Sequence, residues 1–112
     1  MYLIFFIKMK PKRIIVSDTT LRDGHQQPGI AFTLEERLYI AGLLQDIGVD
    51  IIEAGFPANA YDMEPVNRIA RQIRGPKISS LARVVQADID AAYEALKPAA
   101  DRGDGMAHLF IG

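Results

Sequence analysis

The sequence predicts an α/β protein built on a parallel sheet, and three observations carry that expectation. Short apolar, β-branched runs alternate with segments of helical periodicity from Ile14 to Ile111. Each change of pattern is punctuated by glycine or proline, at Gly48, Gly55-Phe56-Pro57, Gly75-Pro76, Pro98 and Gly103. The stretches between the runs are long enough for the helical crossovers that parallel strands need.

Taken in order, Ile14 to Asp18 (IIVSD) reads as a short buried strand. A polar loop bearing Gly and Pro follows from Thr19 to Phe32. Thr33 then opens a helix, because Thr33 and Glu36 have the T-x-x-E spacing of a capping box. Leu34, Leu38, Ala41, Leu44 and Gln45 recur on one face of that helix, and Ile40, Leu43 and Ile47 widen it. Gly48 is placed to stop it. Val49 to Ala54 is the second strand. A second helix is expected from about Met63 to Ile73, with Asp62 as its cap and Pro65 in its first turn, where proline is tolerated. Ile78 to Arg83 is the third strand, Asp88 to Lys97 an alanine-rich helix stopped by Pro98, and Met106 to Ile111 the fourth strand. Right-handed βαβ units of this kind form either a doubly wound sheet or a barrel. The first βα loop lacks a glycine-rich phosphate fingerprint, which weakens the dinucleotide-binding form of the former.

Composition narrows the function classes. The chain has 112 residues, one domain or part of one, with a formal net charge of -1. No bulk attraction to nucleic acid or an anionic membrane is expected. With no cysteine, a disulfide scaffold, a thiolate nucleophile and a thiolate metal site are excluded. A cytoplasmic location fits that composition. Met1 to Ile7 (MYLIFFI) is apolar and is followed by Lys8, Lys10, Lys12 and Arg13. The run is far shorter than the about 20 residues of a membrane helix and has no leader-like flanks. Residues 1–13 read as an N-terminal extension: either the first eight residues lie upstream of a start at Met9, or the apolar run is an extra edge strand or a sticky tail. Residues 14–112 are then the domain proper.

Ligands bind at the carboxyl ends of parallel strands in either architecture. That rule singles out Asp18 to Gln26, Glu53 to Pro57, Arg83 and His108. Asp23 offers oxygen to a hard divalent cation, Mg2+ or Mn2+. Arg22 suits a developing oxyanion or enolate. A solvated turn holding an Arg–Asp pair fits the same two residues. Glu53 lies in an apolar strand, so it must be paired, hydrogen-bonded or protonated. Arg83 is its expected partner, either as a structural ion pair or as part of an acid–base site. His108, also in an apolar strand, reads on its own as a satisfied core histidine rather than a ligand. His25 is expected to be exposed and has no role assigned from its chemistry.

The stretch VSDTTLRDGHQQPG, Val16 to Gly29, resembles the opening signature of the 2-isopropylmalate synthase, homocitrate synthase and HMG-CoA lyase family. That signature is L-R-[DE]-G-x-Q with a basic residue after a gap of ten. Leu21, Arg22, Asp23, Gly24 and Gln26 match, and Arg37 stands where the family usually has Lys. The likeness continues through GVDIIEAGFP (48–57), LAR (81–83), ADIDAAYEALKPA (87–99) and AHLFI (107–111). His25 departs from the Glu usual in the synthases. Biotin-dependent carboxyltransferases share the DGHQ but not the PGIAFT that follows. The stretches IEAGFP and ADIDAA look most like 2-isopropylmalate synthase, with homocitrate synthase, citramalate synthase, HMG-CoA lyase or a carboxyltransferase relative as the alternative.

The resemblance implies a partial (β/α)8 TIM barrel: three βα units plus a fourth strand. It implies a Claisen condensation of acetyl-CoA with a 2-oxo acid such as 2-oxoisovalerate, in leucine biosynthesis. The cofactor it implies is Mg2+ or Mn2+, with Zn2+ as a further candidate, and the complete enzyme would be a homodimer. By the same resemblance Asp23 is a metal ligand, Arg22 and Glu53 are catalytic, and Gln26, Arg83 and His108 line the substrate pocket. The family completes its metal site with a His-x-His pair that this sequence lacks, and a full barrel takes about 250 residues. The chain is therefore expected to be a fragment, inactive alone. The rival expectation is a non-catalytic half-barrel that associates with a partner or a second copy.

Overall fold

A computed structural model describes residues 12–111; the apolar run 1–7 and its readings lie outside these residues. Four parallel strands, β1 (Ser17–Asp18), β2 (Ile51–Glu53), β3 (Lys77–Arg83) and β4 (Gly105–Phe110), form one sheet in the order β1-β2-β3-β4. Three helices connect them: α1 (Leu34–Ile47), α2 (Ala60–Gln72) and α3 (Gln86–Ala100). A single turn of π-helix, Thr20–Gly24, follows β1.

The topology chooses between the two architectures. Sequential strand order, with no reversal, is that of a barrel wall rather than a doubly wound sheet. Strand alternation says the same. Ile78, Ser80 and Ala82 of β3 are fully buried, and Ile78 shares one core with Ile52, Val66, Ile69 and Ala95. Of the intervening residues, Lys77, Leu81 and Arg83 are more open, while Ser79 is buried. Helices cover one face of the sheet, as on the outside of a barrel. On the opposite face Met106 and His108 are exposed among the described residues.

Local chemistry explains the elements. In α1 the Thr33 hydroxyl accepts from the Glu36 amide (3.2 Å) while the Glu36 carboxylate accepts from the Thr33 amide (2.8 Å). Gly48 ends it with φ of 80°, a left-handed conformation that suits glycine. Four expectations are corrected. The first strand is two residues long, and Ile14 and Ile15 are exposed. Among the described residues β1 is the sheet's edge, with a partner on one side alone. Leu43 and Ile47 are exposed rather than part of the α1 core face. Helix α2 starts at Ala60, capped by Asn59. Asp62 is therefore free to turn inward, and Pro65 lies beyond the first turn. Pro98 does not stop α3, which runs to Ala100; Glu94, whose carbonyl loses a helical donor, is an exposed residue.

Arg102 ties the helix ends together. Its guanidinium donates to the carbonyls of Ala70 (2.6 Å) and Ile73 (2.6 Å) at the end of α2 and of Pro98 (2.9 Å) in α3. These are carbonyls a helix leaves without partners. Arg102→Ala is expected to cost about 2–3 kcal/mol, because charge-assisted bonds to half-buried carbonyls are lost; urea unfolding measures it. No helix among the described residues is long and apolar enough to cross a membrane.

Candidate functional site

Because all four strands run parallel, their carboxyl ends share one rim. The π-turn after β1 brings Arg22 back over the end of β2, where its Nε donates to Glu53 Oε1. Glu53 is 2% exposed, and its second oxygen, Oε2, bonds His108 Nδ1 at 2.8 Å. Residues far apart in sequence thus form the chain Arg22–Glu53–His108. A buried carboxylate needs such partners; both of its oxygens are occupied.

The expected Glu53–Arg83 pair is not formed. Arg83 instead grips Asp88 with both arms, Nε to Oδ2 at 2.7 Å and Nη2 to Oδ1 at 3.0 Å, and its amide donates to the same carboxylate at 3.0 Å. Asp88 sits in the first turn of α3, directly after β3, so the local partner wins over the one across the sheet. Arg83 also lies over the Phe56 ring, 6.0 Å from its centroid. Phe56 meets Phe110 edge-on at 6.4 Å. Arg83, Phe56 and Phe110 therefore wall the rim, separate from the Glu53 cluster.

The Arg83 guanidinium, and to a lesser degree its amide, hold the Asp88 carboxyl below its ordinary value, although burial acts the other way. A carboxyl depressed in the folded state stabilises the fold above its unfolded pKa, about 3.9. That contribution is lost as pH falls through the lower, folded value. Acid unfolding below about pH 4 is expected to be less steep in Asp88→Asn than in the parent. Equal slopes would show that the pair does not couple to folding.

The metal candidate, Asp23, has a side chain 57% exposed with one weak contact, Arg22 Nη1 at 3.4 Å. Its oxygens are open to a hard cation, so it fits as one ligand. No group of three or more potential ligands converges among the described residues, so these residues do not form a complete site. Gln26 is exposed on the loop and is not drawn into the Glu53 cluster. His108 is not a core histidine: more than half of its side chain is exposed while its ring is held by Glu53.

His25 and Asp62 are the residues that sequence reasoning missed. His25 is half-buried, not exposed. Its Nε2 lies against Arg37 Nη2, and its Nδ1 faces the Phe32 amide at 3.2 Å. A neutral imidazole has one lone pair to offer, so it accepts from one of these donors at a time. Burial and the Arg37 charge push the His25 pKa down, against a smaller upward pull from Asp62. Arg37 Nη1 bonds Asp62 at 2.7 Å in a pair that is almost wholly buried. The gap-spaced basic residue Arg37 was the one signal in the sequence for this cluster; nothing marked its acidic partner.

A cavity of about 520 Å³ lies at the other, amino end of the strands, lined by Asp50, Arg74, Lys77 and Met106 among others. Two of its charges are already paired, Asp50 with Arg13 and Lys77 with Asp104. It lies far from the rim where the ionisable groups gather, and the rim is the candidate site.

Residues 13–111 match the HMGL-like family. The chain is 52% identical over 101 residues to the 2-isopropylmalate synthase of Pyrococcus furiosus, covering 89% of this chain and 20% of that protein. It is 50% identical over 106 residues to that of Methylacidiphilum infernorum, covering 94% and 21%. It is 58% identical over 92 residues to that of Synechocystis sp., covering 79% and 17%. The chain spans about a fifth of the length of the curated relatives it matches. With the match running almost the whole length of a sequentially ordered parallel sheet, the chain belongs to the HMGL-like family.

Proposed function

We propose that this chain supplies the first part of the active-site rim of a cytoplasmic 2-isopropylmalate synthase-type enzyme, which condenses acetyl-CoA with 2-oxoisovalerate in leucine biosynthesis. The observation that carries the reading is the Arg22–Glu53–His108 chain at the carboxyl rim, in a sequence about half identical to proteins of that name.

In the reaction a proton leaves the acetyl methyl group. The resulting carbanion carbon bonds to the ketone carbon of the 2-oxo acid, and the ketone oxygen takes up a proton. Water then cleaves the thioester, releasing CoA. A divalent cation, Mg2+ or Mn2+, would polarise the ketone, and Asp23 is the residue here that would help hold it. Arg22 faces oxygen atoms on which negative charge develops. Its Nη2 has no partner among the described residues, while Nε is anchored on Glu53. Glu53 acts by holding: one oxygen orients Arg22 and the other fixes His108. His108 then presents Nε2 to the substrate as a hydrogen-bonding group. Exposed Gln26 contributes a polar contact, and Arg83, already filled by Asp88, shapes the wall with Phe56.

The test is a chimera in which residues 13–111 replace the matching segment of the Pyrococcus furiosus relative. Thiol release from acetyl-CoA, dependent on 2-oxoisovalerate and Mn2+, is expected within about tenfold of the parent, since the rim is retained. A folded chimera without turnover, or one turning over a different 2-oxo acid, sinks the proposal.

A further inference from the structure

We infer that Arg37 is a positioning residue: gripped by Asp62 and His25, it sets the spacing between the loop carrying Arg22 and Asp23 and the strand end carrying Glu53. The inference rests on the reading above for why that spacing matters. Its test reads geometry rather than turnover, so the two can fail separately.

The contacts form a continuous path behind the site. On one side, Arg37 Nη2 lies against His25, two residues beyond Asp23 and three beyond Arg22. On the other, Arg37 Nη1 bonds Asp62 Oδ1 at 2.7 Å. The second oxygen of Asp62 accepts from the Phe56 amide at 2.9 Å, three residues beyond Glu53. Gly55 fits against the same carboxylate: a Cβ there would lie 3.0 Å from Oδ2 and 2.9 Å from Val66 Cγ2. The two segments that meet in the Arg22–Glu53 bond are thus each tied to one buried ion pair, from helices α1 and α2.

Cohesion alone is a poor reason for such a pair. Side chains 4% and 5% exposed lose most of their hydration, and apolar residues of similar volume usually serve stability as well or better. What an apolar pair cannot do is reach in two directions at once. The guanidinium is a rigid fork whose arms bond in fixed relative directions. Lysine, a point charge with three freely turning donors on a flexible stem, would not fix the two directions relative to each other.

His108 is the reporter, because its Nδ1 meets Glu53 and no part of it touches Arg37. The ring ¹⁵N shifts of His108 are read in the full chain, in Arg37→Met/Asp62→Leu, in Arg37→Lys and in Arg102→Ala. The last lowers stability at the helix ends without touching this path. The parent and Arg102→Ala are expected to hold the Nδ1–H tautomer donating to a carboxylate. The double variant, folded, is expected to shift the tautomer ratio at least tenfold, with Arg37→Lys in between. A folded double variant with the parent's His108 shifts overturns the inference. If the double variant does not fold, Arg37→Lys decides: parental shifts overturn the inference, displaced shifts support it. Loss of the signature in Arg102→Ala to the same degree also overturns it, since any destabilisation would then suffice.

Discussion

Asp62→Leu alone is expected to cost about 3–5 kcal/mol, because it strands the Arg37 guanidinium in a dry interior. For a small domain whose total stability is about 5–15 kcal/mol, that is a large share. The melting temperature is expected to fall by roughly 15–30 °C. The sign reverses when the partner goes too. Arg37→Met/Asp62→Leu removes both charges and is expected to regain at least half of the loss. The Phe56 amide, left without its acceptor, keeps recovery from being complete. Thermal and urea unfolding of the parent, single and double variants measure the coupling directly. A single variant costing under about 1 kcal/mol, or a double variant no better than the single, is incompatible with a buried pair. The cycle measures cohesion, the His108 shifts measure placement, and the structure requires both to move.

In the chimera, Arg22→Met is expected to lower kcat by about 10²–10³-fold with a much smaller change in KM. The guanidinium opposes charge that develops in the transition state and is absent from the bound substrates. Glu53→Gln is expected to fall between this variant and the parent. Its amide oxygen still accepts from Arg22, but its amide nitrogen meets His108 where an oxygen stood. Equal losses in kcat/KM from a rise in KM alone would mark Arg22 as a simple binding group. An Arg22→Met chimera keeping more than a tenth of the parent's turnover removes it from the chemistry.

Much of the fold is legible along the chain because it is set locally. The Thr33/Glu36 box and the Gly48 stop frame α1 as the spacing predicts. The parallel strands follow from the lengths between apolar runs, and their common rim follows from their being parallel. Boundaries fared less well at Asp62 and Pro98. Asp62 is a fitting cap by type, but Asn59 takes that role. Pro98 is a fitting stop by type, but one missing amide near a helix end costs too little to end it.

The residues that gather at the rim could be named from the sequence, since the strand-end rule and the LRDG motif both point there. Their pairing could not. Glu53 sits one strand from both Arg83 and Arg22, and charge type alone does not choose between them. The π-turn swings Arg22 over β2, while α3 offers Asp88 to Arg83 at short range. The sequence determined that the strands run parallel, where their ends lie and which ionisable groups those ends carry. The tertiary structure decided that Arg22 and His108 share Glu53, and that Arg37 and Asp62 lie buried behind them. Side-chain partners depend on distances between elements, and those are fixed when the helices dock on the sheet.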